Sequence, residues 1–239
     1  MLIDELLTYL FDGQPHVLAQ PMRTWLTSSR RFTTFATSFR DKIRKKLRVT
    51  QGQENLYDLR LELETAYLLL RERALNIVYE PENSGPGRSP DFAVSYTTSL
   101  TFMVEVTRLR SVASIDNAIK LEGERLADAI CSKLRQLLPQ RSNILIVGAD
   151  ALLLTPTELQ TVMLRIQQRA ERNDPAFWQR YGFQDRADFF RHYQRLSEVL
   201  VRNSQWQADE PVIGWSSPQA KHPLPGKVRT ALYRSHGVL

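Results

Sequence analysis

The sequence has little cysteine: Cys131 is its only one among 239 residues. A single thiol excludes an intramolecular disulfide framework, and without a second cysteine nearby it argues against a cysteine-based zinc site. Cys131 also lies inside a predicted helix with no neighbouring histidine, which favours a buried structural thiol over a nucleophile. These features fit a reducing compartment, so we expect a cytoplasmic protein.

Long apolar runs are missing as well. No stretch approaches the roughly 18 consecutive apolar residues that a membrane-spanning helix needs. Asp4 and Glu5 stand where a secretory signal would carry basic residues, which argues against a signal peptide. We therefore expect no membrane association.

Several motifs of enzyme chemistry are also absent. The chain contains neither the G-x-x-x-x-G-K-[ST] loop nor the G-x-G-x-x-G turn, which disfavours nucleotide hydrolysis and dinucleotide binding. Its four histidines are too scattered to show the spacing of a metal site: His16, His192, His222 and His236. Any catalytic chemistry must therefore use other side chains.

Basic residues exceed acidic ones, 32 to 26, and the formal net charge is +6. This balance permits nucleic-acid binding without demonstrating it. The basic residues are dense between positions 41 and 48, where Ile43 and Leu47 share one face of a predicted helix. Around that apolar stripe stand Lys42, Arg44, Lys45, Lys46 and Arg48. Two interpretations stay open: a helix that contacts nucleic-acid phosphates, and a solvated face whose apolar stripe packs on the domain.

Hydrophobic periodicity divides the chain into three parts. Residues 1–50 are predicted to form a basic helical N-terminal segment, residues 51–150 a core, and residues 151–239 a mainly helical extension packed on that core. Within the core we expect a helix, three strands, a helix and a strand, at residues 56–73, 75–79, 92–96, 100–109, 115–138 and 144–147. The long helix before the last strand predicts that the last two strands pair in parallel.

The C-terminal part is rich in aromatic residues. They cluster between positions 177 and 193, after a predicted helix at residues 157–172. Exposed rings there would suit stacking on nucleobases, whereas buried rings would form a satellite core between helices, which is the interpretation we favour. A final strand is predicted at residues 212–215 and a last helix at residues 227–233.

Strand pairing brings two carboxylates of the core together. Asp91 precedes one predicted strand and Glu105 lies inside the next. A turn centred near residues 98 and 99 places residue 91 opposite residue 106, which makes Asp91 and Glu105 adjacent across the ladder. Such carboxylates repel each other unless a cation or proton lies between them, and their hard oxygens suit Mg²⁺. Since strand side chains alternate, Glu105 and Thr107 share one face, whereas Val104 and Val106 point the other way into apolar packing. We expect this strand to be central, with both valines buried.

These residues resemble a known motif. Ser89-Pro90-Asp91-Phe92, a hairpin and then Val104-Glu105-Val106-Thr107-Arg108-Leu109 are similar to the signature of the PD-(D/E)XK nuclease superfamily. The helix with Leu61-Glu62-Leu63-Glu64-Thr65-Ala66 resembles that superfamily's first core helix, and the order of elements agrees. The resemblance covers about residues 54–149, roughly 40% of the chain. It implies an α/β fold with a restriction-endonuclease-like αβββαβ core and helical additions at both ends.

The resemblance also implies roles for the acidic residues. Asp91 and Glu105 correspond to the metal ligands of the superfamily, with Mg²⁺ or Mn²⁺ as the ion. Glu62 corresponds to the helix carboxylate that binds the metal directly or through water, and Glu64 is the alternative for that role.

The sequence departs from the motif at one position. Thr107 stands where the superfamily has a lysine that orients the attacking water and stabilises charge in the transition state. Threonine can hydrogen-bond a water molecule but carries no charge. Lys120 or Lys133, on the long helix, can replace that lysine if the fold brings either close, since members of the superfamily relocate it. Arg108 is predicted to point to the opposite face of its strand.

The resemblance predicts a metal-dependent nuclease that hydrolyses DNA phosphodiester bonds, with Glu62, Asp91, Glu105 and Thr107 in a site that lacks the motif lysine. The alternative is a catalytically inactive module of the same fold that binds DNA or another protein. DNA is the expected partner of the enzyme. The oligomeric state, a homodimer included, is left open by the sequence. A cation close to Asp91 and Glu105 favours the enzyme, whereas apolar side chains filling the site favour the module.

Overall fold

The computed structural model describes residues 2–81, 89–97, 100–109, 118–149, 154–172, 174–204 and 212–237, with the backbone alone for residues 118–121. The helices are α1 (Ile3–Phe11), α2 (Ala19–Ser28), α3 (Arg30–Ser38), α4 (Arg40–Val49), α5 (Gln53–Leu69), α6 (Ala118–Lys133), α7 (Pro156–Glu171), α8 (Pro175–Tyr181), α9 (Arg186–Tyr193) and α10 (Gly226–Ser235). The strands are β1 (Leu75–Tyr79), β2 (Phe92–Tyr96), β3 (Leu100–Leu109), β4 (Asn143–Ala149), β5 (Leu196–Asn203) and β6 (Ile213–Ser216). Within these ranges, no helix combines the length and the apolar character needed to cross a membrane.

The strands form one mixed sheet in the order β1-β2-β3-β4-β5-β6. β1, β2 and β3 are antiparallel neighbours, β4 is parallel to both β3 and β5, and β6 is antiparallel to β5. The predicted core order is found in α5, β1 to β3, α6 and β4, and the predicted parallel pairing of β3 with β4 is confirmed. The protein is therefore an α/β protein with a mixed sheet. Residues 110–117, at the predicted start of the long helix, lie outside the described part.

The two faces of the sheet bury different helices. Val104 and Ile144 face a core that includes residues of α5 and of the N-terminal helices α1 to α4. Leu145 and Val147 face a second core that includes residues of α6, α7, α8 and α9. Because strand side chains alternate, the continuous apolar run of β4 is buried on both sides.

The strand β5 was not predicted, although the C-terminal part is otherwise made mainly of helices, with α7 to α10 and the predicted strand β6. The sequence of β5 interrupts apolar residues with Ser197, Glu198 and Arg202, so it shows neither regular alternation nor an unbroken apolar run. All three polar residues are nevertheless buried. Their partners come from distant parts of the chain: the His222 carbonyl for Ser197, Arg229 for Glu198 and Glu64 for Arg202. Tertiary contacts, which the local pattern does not show, make this segment a central strand.

Other predictions for the C-terminal part are confirmed. The final strand is β6 and the last helix is α10. Phe177, Trp178, Phe189 and Tyr193 are buried within the second core, so these rings form a satellite core and are not available to stack on bases. Cys131 is buried in the same core.

Candidate active site

The hairpin between β2 and β3 sets the position of Asp91. Phe92 pairs with Val104, so a three-residue connection, 97–99, joins the two strands. The predicted register, with residue 91 opposite residue 106, is therefore wrong by one position. The turn explains this difference, because Thr97 takes a left-handed backbone conformation (φ 51°) and leaves the ladder one residue early. Continued by one residue, the observed register places Asp91 level with Glu105.

Asp91 is held against β3 by its own side chain. Its Oδ2 accepts a hydrogen bond from the backbone N–H of Val106 at 2.7 Å. Burial, and secondly the negative charge of Glu105, raise the pKa of Asp91 to about 6, although the Val106 hydrogen bond, Lys133 and Lys46 act in the opposite direction. Burial therefore contributes more to this rise in pKa than repulsion between the two carboxylates does.

Glu105 lies within β3 and meets a lysine from another element. The carboxylate is 4% exposed, and its Oε1 accepts a hydrogen bond from Lys133 Nζ at 2.7 Å. Lys133 is the last residue of α6, and its Nζ also lies 3.3 Å from Gln136 Oε1. The structure therefore brings a cation from α6 to the strand glutamate.

The other candidate cations are placed differently. Arg108 lies on the opposite face of β3, where its Nε donates to Asp58 at 3.0 Å and its Nη2 to Glu54, both on α5. The side chain of Lys120 lies outside the described residues. Thr107 is partly exposed and lies two residues after Glu105, on the same face of β3. Of the described candidates, only Lys133 bonds to a carboxylate of the predicted site.

Glu62 reaches the same neighbourhood from α5. Its Oε1 accepts a hydrogen bond from Lys46 Nζ at 2.6 Å, and the same ammonium lies 2.8 Å from Glu80 Oε1. Burial and then the charge of Asp91 raise the pKa of Glu62, whereas Lys46 lowers it. The charge of Asp91 thus acts on Glu62, which links the helix carboxylate electrostatically to Asp91.

Glu64, the alternative helix carboxylate, belongs elsewhere. Its Oε2 accepts a hydrogen bond from Arg202 Nη2 at 2.8 Å, and both side chains are almost completely buried. Burial raises the pKa of Glu64, and the charge of Arg202 opposes that rise. The helix period accounts for the separation, since side chains two residues apart do not share a face.

Tyr79 is a member of this neighbourhood that the sequence did not indicate. It is fully buried, stacks on Phe92 with 5.5 Å between ring centroids, and has Lys46 Nζ 4.9 Å from its own centroid. Its hydroxyl interacts with the carboxylate of Glu62, although the two do not form a hydrogen bond of regular geometry. Burial, followed by the charge of Glu62, raises the pKa of Tyr79 strongly. A neutral buried hydroxyl therefore lies beside the carboxylates.

The donor chemistry of this site suits Mg²⁺ or Mn²⁺, which prefer carboxylate oxygens. Within the described ranges, however, no three histidine, cysteine, aspartate or glutamate side chains are gathered closely enough to hold a metal ion. Lys133 and Lys46 each take one oxygen of a carboxylate, of Glu105 and Glu62 respectively. In the described arrangement, lysines therefore neutralise Glu105 and Glu62, while the carboxylate oxygens are the kind of ligand atom that Mg²⁺ and Mn²⁺ prefer.

The basic helix predicted to contact phosphates is α4, and much of it serves internal contacts. Lys42 Nζ lies 3.0 Å from the Glu80 carbonyl, and Arg44 and Arg48 both bond to Asp12. Lys46 is part of the candidate site. Lys45 and Arg48 are exposed, whereas Lys42, Arg44 and Lys46 are partly buried. The expected exposed basic face is therefore only partly present, because α4 packs against α1, α3 and α5.

Comparisons with protein-family models, curated proteins and solved structures found no match to this chain. Within the molecule, Glu105 pairs with Lys133, Glu62 pairs with Lys46, and Asp91 is bonded to the backbone of β3. These side chains come from four separate elements and from the loop before β2.

Proposed function

We propose that the protein is a metal-dependent nuclease that hydrolyses DNA phosphodiester bonds, and that α5, β1 to β3, α6 and β4 form a restriction-endonuclease-like core. The observation that carries this proposal is the contact of Lys133 Nζ with Glu105 Oε1 at 2.7 Å. It supplies, from a helix, the cation that the motif lacks at Thr107. The resemblance of the surrounding motif, with Asp91 and Glu62 beside Glu105, supports the same function.

The side chains have distinct roles in this proposal. Asp91 and Glu105 would hold Mg²⁺ or Mn²⁺, and Glu62 would support the ion directly or through water. When bound, the metal would supply a Lewis acid that activates water and stabilises the leaving oxygen. Lys133 would release Glu105 to the metal and place its ammonium group against the charge that develops on the phosphate. Thr107 would hydrogen-bond the attacking water.

Cleavage of DNA tests this function. Supercoiled, linear and single-stranded DNA are incubated with the protein and Mg²⁺ or Mn²⁺, and we expect cleavage that EDTA abolishes. Lys133→Met should lower the rate by about 100-fold or more, the usual loss when one preorganised electrostatic group is removed. Lys221→Met, at an exposed lysine, is the matched control. Metal-dependent cleavage that survives both Asp91→Asn and Lys133→Met would place the chemistry elsewhere.

Thermal unfolding tests metal binding separately from cleavage. Millimolar Mn²⁺ or Mg²⁺ should raise the unfolding temperature of the parent protein, because a ligand that binds the folded state stabilises it by mass action. The rise should vanish in Asp91→Asn. Equal responses of the parent and the variant across the titration would remove Asp91 from the ligand set.

A second candidate function is a catalytically inactive module of the same fold. The observation that favours it is the pairing of both Glu105 and Glu62 with lysines, which leaves the carboxylates neutralised without a metal. Binding of DNA or protein without cleavage, together with no thermal response to metal, would establish this function in place of the nuclease.

A further inference from the structure

A cleft of about 380 Å³ lies between α6, α7 and α8. Buried residues of all three helices form its floor, among them Cys131, Ile166 and Phe177. Its rim carries four arginines: Arg165, Arg169, Arg172 and Arg180. We refer to this feature as the arginine cleft.

The positive charge of the arginine cleft is poorly compensated. Arg165, Arg169 and Arg172 follow one another at intervals of four and three residues, so they share one face of α7, and all three are exposed. No ion pair to any of them is present in the part of the chain that the structure describes. Like charges at this spacing repel each other and destabilise a helix. The arrangement is therefore typical of a surface that receives an anion.

The two acids of the cleft leave most of this charge available. Asp128 is already engaged, because Arg180 and the hydroxyl of Tyr181 both donate to it. Glu124 is exposed on the rim. Arg169 is held in place by a neighbour as well, with its guanidinium 5.1 Å from the centroid of the Phe177 ring. Two of the four arginines are thus positioned by fixed contacts.

We propose that the arginine cleft binds the phosphate backbone of a nucleic-acid strand. The planar guanidinium group donates in a fork that matches phosphate oxygens. Residues 165 to 172 extend over about 10 Å at 1.5 Å per residue, so their side chains face more than one phosphate group. Of the two rings that line the cleft, Phe177 is buried and Tyr181 is partly buried with its hydroxyl bonded to Asp128. Binding is therefore expected to depend on the backbone and to show little sequence preference.

This inference rests on the proposed nuclease function, because the cleft would hold the substrate strand. The helix α6 links the two sites: Asp128 and Cys131 line the cleft, and Lys133 reaches Glu105. Binding is nevertheless measurable without cleavage, so failure of one proposal is distinguishable from failure of the other.

The test uses the full chain with Asp91→Asn in EDTA, so that no DNA is cut. Fluorescence anisotropy measures binding of labelled single- and double-stranded oligonucleotides from low to moderate salt. The cleft variant combines Arg165→Gln, Arg169→Gln and Arg172→Gln. The matched control removes the same charge at exposed sites elsewhere, with Arg30→Gln, Lys221→Gln and Lys227→Gln.

We expect the cleft variant to bind DNA roughly tenfold more weakly or worse at low salt, and the slope of log K against log salt to fall by about 2 to 3, one phosphate contact for each arginine. The control should change both quantities much less. Replacing the same three arginines with lysine should keep most of the slope of log K against log salt. Thermal unfolding at the temperature of the parent protein confirms that each variant is folded.

Several results would overturn the inference. The first is that the parent protein does not bind DNA, and the second is that the cleft variant and the control lose equal DNA affinity. The third is that inorganic phosphate or a mononucleotide displaces the labelled DNA completely, at concentrations where DNA fragments displace it no better. The last result would assign the cleft to a small phosphate compound. Loss of binding in the cleft variant supports the cleft even if the cleavage assay shows no nuclease.

Discussion

At the scale of single residues, the candidate site depends on which oxygens are already engaged. One oxygen of Asp91 accepts the Val106 N–H, one oxygen of Glu105 accepts Lys133, and one oxygen of Glu62 accepts Lys46. Buried charges are costly unless they are paired. Among the described residues, the direct partner of Asp91 is a backbone donor and not a cation, so burial raises its pKa.

Replacing Asp91 should change stability in a pH-dependent way. Its folded pKa, about 6, lies above the ordinary 3.8, so protonation favours the folded state. The stability that protonated Asp91 contributes is present below about pH 4 and is lost as the pH rises through 6. At pH 8 without metal, Asp91→Asn should therefore be more stable than the parent, by about 3 kcal/mol at most. Urea unfolding at pH 4, 6 and 8 measures this gain.

A matched control is Glu124→Gln, because Glu124 is an exposed acid. It should change stability little at any of the three pH values. A gain for Asp91→Asn that is as large at pH 4 as at pH 8 would contradict the argument, since the benefit would then not come from removing a buried charge.

At the scale of elements, β3 is the strand that organises the site. It pairs with β2 on one side and β4 on the other, as predicted for the strand that contains Glu105. Val104 is fully buried, as expected, whereas Val106 is only partly buried. The expectation that both valines are buried is therefore wrong for Val106.

This difference predicts unequal effects of two substitutions. Val104→Asp should destabilise the protein by about 3 kcal/mol or more, because it puts an unpaired charge into the core. Val106→Asp should lower the free energy of unfolding clearly less, since the side chain at position 106 reaches solvent. Denaturant unfolding of both variants at pH 7 measures the two losses, and equal losses would show that burial does not set the cost.

A second element-scale prediction concerns the contact between α4 and α5. Lys46→Met should destabilise the fold by about 2 kcal/mol, since it leaves the largely buried Glu62 without its cation. Adding Glu62→Gln should recover much of that loss. A double variant whose loss equals the sum of the two single losses would mean that the pair does not interact. Lys45→Met, next to it on α4 but exposed, is the control.

At the scale of the whole molecule, a buried ion pair connects two distant parts of the chain. Arg202 in β5 and Glu64 in α5 are 138 positions apart and form a buried ion pair. Two further nitrogens of Arg202, Nε and Nη1, have no hydrogen-bond partner within the described ranges. Glu64 is therefore the main compensation for a guanidinium group in the core.

Breaking this pair should destabilise the entire fold. Glu64→Gln should cost about 3 to 5 kcal/mol, because it leaves Arg202 buried with an uncompensated charge. Glu64→Met combined with Arg202→Met should be much less destabilising than Glu64→Gln alone. Urea unfolding with two probes, fluorescence and far-UV circular dichroism, measures these values. A stable Glu64→Gln protein with an unchanged midpoint would be the contrary result.

The sequence by itself determined the features that depend on local pattern. The order of α5, β1 to β3, α6 and β4 follows from hydrophobic periodicity, and the proximity of Asp91 and Glu105 follows from a hairpin of few residues. Even there the register differed by one position, because Thr97 takes a left-handed conformation and donates its N–H to the Ala74 carbonyl, outside the hairpin.

The tertiary structure alone decided which cations and hydroxyl groups surround those carboxylates. Lys133 and Lys46 lie on helices whose rotation about their axes depends on packing, and a shift of one residue turns a side chain by about 100°. For the same reason the buried Tyr79 and the strand β5 could not be predicted, since their polar groups find partners only after distant segments pack. Local patterns determine secondary structure, whereas the chemistry of this site depends on contacts between elements far apart in the chain.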